Sequence, residues 1–362
     1  MRSVVFLTYH FPPEVGGIQT RISKYVEKLS GRGVRVSVLV AGRDPRPGRQ
    51  PEGVVVKALP GGLRRFPGNA VEVTSDVLNS RADAVHVFTG ASTVLGAYAL
   101  MLARLTGAKA VMSLFGREDF AFERAPPRVL LRVSSLIADS IDVNSTATGG
   151  LLPTDVRHKV HVLLGAAEEP EGRRGALPDA PVLLFVGRLV QRKGVDDLLR
   201  AFAEVRSRFP EARLSIVGDG PEKGKLIEMA RRLGVLHSVE FRGTLVGAGL
   251  EQEYARCFAF VLPSKDVPTD PANEGLGLAL IEASMHAKPL VGTRHGGIPE
   301  VVTDGRNGLL VAPGDPGALA AALVELLSDR GRADRMGAAA LEMARSRFSW
   351  ERATDVLLES YA

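Results

Sequence analysis

The chain reads as α/β throughout, two domains facing a cleft, and three observations predict this. Its 362 residues exceed the roughly 100–200 of one ordinary domain. Short apolar runs bounded by turn residues alternate with helix-period stretches, which predicts mostly parallel sheets covered on both faces. The alternation stops at a stretch rich in Glu, Arg, Gly and Pro, residues 167–181, and then restarts. Residues 1–166 are expected to form the first domain, 167–180 a linker and 181–345 the second domain. A C-terminal helix, 346–362, is expected to pack back on the first.

Strand signals in the first half fall at 3–8, 34–40, 54–58, 84–88, 109–113 and 160–164. After the first strand, Ile22, Val26 and Leu29 recur at helical spacing, so 18–29 is a helix, ended by Gly31 and Gly33. A second helix, 93–105, closes at Gly107. In the second half, strands are expected at 182–186, 214–217, 239–241, 259–262, 289–292 and 308–311. Helices are expected at 196–208, 224–233, 278–286, 316–328 and 332–348. Several strands run directly into glycine-bearing loops, and open parallel sheets bind ligands at those carboxyl ends.

Composition narrows the function. Hydrophobic residues make up 45% and charged residues 24%, which excludes wholesale disorder. No apolar run approaches the ~20 residues that span a bilayer. The opening residues are too short for a secretory segment and read as a strand. One cysteine, Cys257, excludes a disulfide framework or a multi-cysteine metal site, so a cytoplasmic location is expected. Residues 1–165 hold 21 Lys+Arg and 13 Asp+Glu, a balance of +8, whereas the remainder holds 25 and 28, a balance of −3. A basic half suits a phosphorylated substrate, an anionic membrane or simply solvent. Aromatics at 6%, not interleaved with basic residues, argue against nucleic acid. Leu63, Arg64, Arg65 and Phe66 form a segment suited to peripheral docking on the inner face of a membrane, or to an exposed loop.

Four motifs could carry chemistry. Between the first strand and first helix, Gly16 and Gly17 permit close backbone approach to an anion, or make a tight connection. After the strand 182–186, Gly187 opens a loop on which Arg188 and Lys193 can converge on a diphosphate, or form a basic surface. Glu274-Gly275-Leu276-Gly277-Leu278 leads into an apolar helix carrying Glu282. Its glycines leave amides open to a phosphate, and a carboxylate among Leu, Ala and Ile needs a partner, such as ribose hydroxyls or a salt bridge. Lastly, Gly296-Gly297-Ile298-Pro299-Glu300 is a glycine turn starting a short helix. Neither G-x-G-x-x-G nor G-x-x-x-x-G-K-[ST] occurs at these turns, which disfavours a dehydrogenase.

In order and spacing these stretches resemble the retaining, nucleotide-sugar-dependent glycosyltransferases of family 4, whose fold is GT-B, two Rossmann-like domains. The match is close from Val186 to Asp315 and weaker in the first half, mainly at Phe11–Ile18. The wording looks most like the GDP-mannose-dependent phosphatidylinositol mannosyltransferases and their bacterial relatives. The resemblance implies a hexosyltransferase with GDP-mannose, or a UDP-sugar, as donor and a lipid-linked or glycan acceptor held by the first domain. It implies no required cofactor and no catalytic metal, in keeping with the lack of an Asp-x-Asp pair. By the same resemblance Arg188 and Lys193 neutralise the leaving diphosphate, Glu274 binds donor-sugar hydroxyls and Glu282 takes the ribose. Gly275, Leu276, Gly277 and Leu278 complete the donor pocket, Leu245 lines the base, and the Gly16-Gly17 loop covers the diphosphate.

Two departures stand out. Phe115 occupies the place of a histidine found in many members, with Glu118 and Asp119 as candidate polar substitutes for sugar or acceptor contact. Leu163-Leu164-Gly165-Ala166-Ala167 stands where the family carries P-N-G-[IV]-D. The loss of the histidine is the one feature favouring the alternative of a non-catalytic nucleotide-sugar binder or partner subunit.

Overall fold

The structure, a computed structural model, describes residues 1–12, 17–41, 51–59, 68–88, 91–115, 125–170, 177–268 and 274–362. The chain divides into two compact units, Met1–Gly165 with Trp350–Ala362, and Ala166–Ser349. Both are Rossmann-like α/β units, the class the sequence predicts.

Unit 1 runs β1 (Ser3–Thr8), α1 (Gly17–Gly31), β2 (Arg35–Val40), β3 (Val54–Ala58), α2 (Gly68–Ser80), β4 (Ala84–Val87), α3 (Val94–Thr106), β5 (Lys109–Leu114), α4 (Ala125–Ile137), β6 (Ser140–Val143), α5 (Thr146–Gly149) and β7 (Val160–Val162). All strands pair in parallel, in the order β3-β2-β1-β4-β5-β6-β7. Side chains alternate across a strand, so one sheet face carries Val5, Leu7, Val85, Val87, Ala110, Met112, Ile141 and Val143. These pack with Val73 and Val77 of α2 and with Leu95, Ala99 and Leu100 of α3. Helix α3 is bounded locally: Thr93 Oγ1 accepts from the Gly96 amide, and Gly107 closes it in the left-handed conformation.

The opposite face of the same strands is partly polar. It carries Phe6, His86, Ser113 and Asp142, and the C-terminal helix α13 (Trp350–Ser360) reaches it. Tyr361 Oη lies 2.7 Å from His86 Nδ1, and Ser360 Oγ donates to Asp142 Oδ2 at 3.1 Å. Strand β6 is absent from the expected strands, because Asp142 interrupts its apolar run. Burial pushes its carboxyl up to about 7, partly opposed by Ser360, Arg21 and Ser140, so much of the cost of burying a charge is avoided by holding a proton. His86 is likewise neutral, held well below its usual range by burial and by the Arg21 charge. Their 3.9 Å approach is therefore not an ion pair.

Unit 2 runs β8 (Val182–Val186), α6 (Val195–Arg208), β9 (Arg213–Val217), α7 (Lys223–Arg232), β10 (Val239–Gly243), α8 (Ala248–Arg256), β11 (Ala259–Leu262), α9 (Leu278–Met285), β12 (Leu290–Thr293), α10 (Ile298–Val301), β13 (Gly308–Val311), α11 (Pro316–Ser328) and α12 (Arg330–Arg347). Its parallel sheet has the order β10-β9-β8-β11-β12-β13. The order reverses between β8 and β11, and such a switch point opens a crevice at the strands' carboxyl ends. No described helix is long and apolar enough to cross a membrane.

Candidate active site

The loops leaving β8 and β11 meet at this switch point. After β8, the buried Leu189 anchors the loop, its amide donating to Asp219 O at 2.9 Å. A single 3-10 turn, Gln191–Lys193, ends at Gly194 with φ 67°. A Cβ there would lie 1.9 Å from the Pro263 carbonyl oxygen, so only glycine lets the two loops touch. The Lys265 amide then donates to Arg192 O at 2.8 Å.

This contact brings three side chains together. Lys193 Nζ lies 2.5 Å from Glu274 Oε2, and Ser264 Oγ donates to the same oxygen at 2.8 Å. Glu274 is 7% exposed. Burial alone would raise its carboxyl, but the Lys193 charge and hydrogen bond, Ser264 and Arg192 together hold it below its usual range. The result is a buried, ionised carboxylate with a half-buried lysine on it. Arg188, from the same loop as Lys193, is exposed and has no side-chain partner among the described residues. A cation free to take an anion thus stands five residues before one already engaged.

The Glu274 carbonyl accepts from the Gly297 amide at 2.9 Å, which pins the second glycine turn beside the first. His295 precedes that turn, buried, its Nδ1 3.6 Å from Asp266 Oδ2. Burial holds the imidazole below its usual range against the pull of Asp266 and Glu274. Helix α9 starts at Gly277, left-handed at φ 80°, with no capping side chain. Its first amides, from Leu278 onward, therefore lack the partner an Asp or Ser would supply, and they carry the helix's positive end. Gly275 is half-buried, and Leu276 and Gly277 are buried. Glu282 lies one turn into α9, half-buried, and Tyr254 Oη donates to its Oε2 at 2.5 Å. Gly187 and Leu245 are half-buried, in the loops after β8 and β10 respectively.

The structure thus brings Lys193 and Glu274 into contact and puts Glu282 on the helix that follows. In unit 1, Gly17 is the exposed first residue of α1. Gly16, Glu118 and Asp119 lie outside the described residues, as does the segment Leu63–Phe66. Phe115 is described: its ring stacks 6.4 Å from Phe88, with the Arg21 guanidinium 5.3 Å from its centroid. Arg21 also donates to the carbonyls of Leu163 and Leu164, the segment where the sequence departs from the family pattern. Sequence reasoning missed Ser264, Tyr254 and His295. Ser264 carried a weak signal, a Pro-Ser pair at a strand end; Tyr254, 28 residues before Glu282, carried none.

A parallel-sheet switch point with two cations on one loop, a buried carboxylate and uncapped amides is a site suited to an anionic ligand. Known proteins name the class of enzyme. The description "Glycosyl transferases group 1" matches residues 168–343, and "Glycosyl transferase 4-like domain" matches 16–150. A relative in Mycolicibacterium smegmatis is 32% identical over 96% of this chain and 95% of its own. It is described as a GDP-mannose-dependent alpha-(1-6)-phosphatidylinositol monomannoside mannosyltransferase. The counterpart in Mycobacterium tuberculosis is 30% identical over 97% of this chain and 96% of its own. Among solved structures, sucrose-phosphate synthase from Thermosynechococcus elongatus superposes with a TM-score of 0.80 at 20% identity, covering 100% of this chain and 98% of its own. The chain belongs to the group 1, 4-like glycosyltransferases, enzymes of GT-B fold.

Proposed function

We propose that the chain moves a hexose, with retention of configuration, from a nucleoside-diphosphate sugar to a lipid-linked or glycan acceptor. GDP-mannose is the favoured donor, supported by the description of relatives that span nearly the whole chain. The observation that carries the reading is the Lys193–Glu274–Ser264 cluster at the switch point, with Arg188 on the same loop as Lys193 and without a side-chain partner among the described residues. Negative charge grows on the leaving diphosphate as the bond to the anomeric carbon breaks, and fixed cations stabilise it without reorganising. Glu274, kept ionised by its neighbours, accepts hydrogen bonds from the sugar's hydroxyls. The acceptor oxygen bonds the anomeric carbon from the face the diphosphate leaves, and its proton passes to the departing phosphate oxygen. The step needs no divalent metal. The products are the glycoside and the free nucleoside diphosphate.

Unit 1 is proposed to work at an anionic membrane, as a peripheral protein. Support comes from the +8 balance of its residues 1–165, which the C-terminal segment 350–362 lowers to +6 for the unit, and from a helix layer with apolar residues outward. Val71 and Leu78 of α2, Val94, Met101 and Leu105 of α3, and Val129, Val133 and Leu136 of α4 are all exposed. Each set recurs at helical spacing, so each helix turns an apolar row to solvent. The charged residues of these helices are Arg104, Arg128 and Arg132, of which Arg104 pairs with Asp139 and Arg132 with Asp155, the exposed Glu72 and the buried Asp76.

Purified protein offered a panel of GDP- and UDP-sugars, with membrane lipids or soluble sugars as acceptor, tests the function. Release of GDP from GDP-mannose that depends on lipid is the expected result. Tight binding with no release from any donor would establish the non-catalytic alternative instead.

A further inference from the structure

We propose that Tyr254 is a positioning residue for the donor's nucleoside, acting through Glu282. The inference rests on the reading of Glu282 as the partner of the ribose hydroxyls.

Tyr254 lies in α8 and is 1% exposed. Its ring stacks on His286 at 5.3 Å and leans on Phe260 at 5.9 Å, which fixes where the hydroxyl points. That hydroxyl donates to Glu282 Oε2 at 2.5 Å. One turn earlier on α8, Glu251 Oε2 lies 2.8 Å from His286 Nε2. Residues 251 and 254 share a face of α8, and Glu282 lies one turn before His286, the residue that caps α9, so the two helices are joined by two rungs. The rung at Tyr254 occupies one carboxylate oxygen. Oε1 has no partner among the described residues and is the atom left to accept from a ligand.

Two effects follow. The buried phenol locks the Glu282 rotamer, so the entropy of orienting the carboxylate is lost on folding rather than on binding. The phenol also keeps the carboxylate available as an acceptor. Burial pushes the Glu282 carboxyl up, the Tyr254 hydrogen bond pulls it down, and Glu251 pushes it up again. Tyr254 itself is raised well above its usual range, by burial and then by Glu282, so it stays a donor.

A ligand cycle separates positioning from mere structure. Tyr254→Phe keeps the ring and removes only the hydroxyl. Calorimetric titration uses the nucleoside diphosphate released in the donor panel, GDP or UDP, and its 2′,3′-dideoxy counterpart. We expect Tyr254→Phe to weaken the natural nucleotide by about 5–10-fold, the size of one ordinary hydrogen bond. Binding of the dideoxy nucleotide should change less than twofold. Equal losses for both nucleotides, or no loss for either, would overturn the proposal. Glu282→Gln in the same titrations tests the underlying reading. If it spares the advantage of the natural nucleotide over the dideoxy one, Glu282 is not the ribose partner; if it removes that advantage while Tyr254→Phe does not, only Tyr254 is wrong.

The pH profile gives a second readout. Losing the phenol lets the Glu282 carboxyl rise, so affinity should fall away at a higher pH in Tyr254→Phe than in wild type. Glu251→Gln, at an exposed position, should shift the profile the other way, and it serves if Tyr254→Phe does not fold. No shift in Glu251→Gln would also count against the ladder.

Discussion

Helices α2, α3 and α4 of unit 1 and helices α6 and α7 of unit 2 solve the same packing problem and then present opposite surfaces. In α6, six of 14 residues are charged: Asp196, Asp197, Arg200, Glu204, Arg206 and Arg208. In α7, five of 10 are. Helices α2, α3 and α4, of 13 residues each, carry five charges between them: Glu72, Asp76, Arg104, Arg128 and Arg132. Thirteen of the fifteen exposed large apolar side chains among the described residues are in unit 1; Leu233 and Val246 are the two in unit 2. Scattered exposed leucines need no explanation, but eight apolar side chains in rows on three helices do. The difference teaches that burying one helix face does not dictate the other. In unit 2 the outer faces of α6 and α7 meet water, and the chemistry is proposed at the strand ends. In unit 1 the outer face is itself the feature that calls for a partner.

The largest expected effect lies on the unit 2 side. Arg188→Ala and Lys193→Ala each remove a protein cation proposed to face the leaving diphosphate, and turnover should fall roughly 10²-fold or more with the fold intact. Glu274→Gln should depress turnover while leaving nucleoside diphosphate affinity nearly unchanged. Near-normal turnover in both cation variants would break the assignment of chemistry to this switch point.

On the unit 1 side the effect is smaller and depends on salt. Vesicles containing anionic lipid should bind the protein at low salt. Arg128→Glu with Arg132→Glu should cut binding several-fold for each charge, at about 1 kcal/mol per basic side chain near such a surface. Arg132 is paired with Asp155, so its share is the lesser. Val129→Ser with Leu136→Ser should remove a further part that added salt does not. If the protein stays in the supernatant with anionic vesicles at low salt, the apolar rows meet some other partner and a soluble acceptor is favoured.

The smallest effect sharpens the comparison inside unit 1, between its polar sheet face and its apolar one. In the folded state His86 stays neutral and Asp142 holds its proton below about 7. Unfolded, the histidine binds a proton below its usual 6.5 and the aspartate only below its usual 3.8. Between those two values each state carries one proton, so the contributions to the pH slope cancel. Asp142→Asn leaves the depressed His86, and stability should be lost as pH falls below 6.5. His86→Gln leaves the raised Asp142, and stability should be lost as pH rises from about 4 to about 7. Trp350, the single tryptophan, sits buried and edge-on to Tyr25 at 5.7 Å, so its fluorescence reports melting of this unit. Parallel slopes in the two variants would show that the pair does not titrate as described.

The sequence by itself determined the alternation of strands and helices, the restart that separates two units, the charge asymmetry and the glycine-bearing loops proposed to hold the donor. Those loops were legible because each is contiguous. Gly187 to Gly194 and Glu274 to Glu282 are short runs in which glycines and charged residues lie within a few positions of one another, set by local backbone demands. Only the tertiary structure decided what reaches across. Ser264 and Lys193 meet on Glu274 because β8 and β11 are neighbours in the sheet, 71 residues apart in the chain by the numbering of Lys193 and Ser264. Tyr254 meets Glu282 because α8 packs beside α9, and no periodicity in either helix encodes that. Strand β6 was hidden because a central aspartate reads as a turn until Ser360 is seen to cover it. The apolar rows of α2–α4 were hidden for a related reason. An amphipathic or wholly apolar helix declares its spacing in the sequence, but which face is left outside is settled only when the sheet takes the other one.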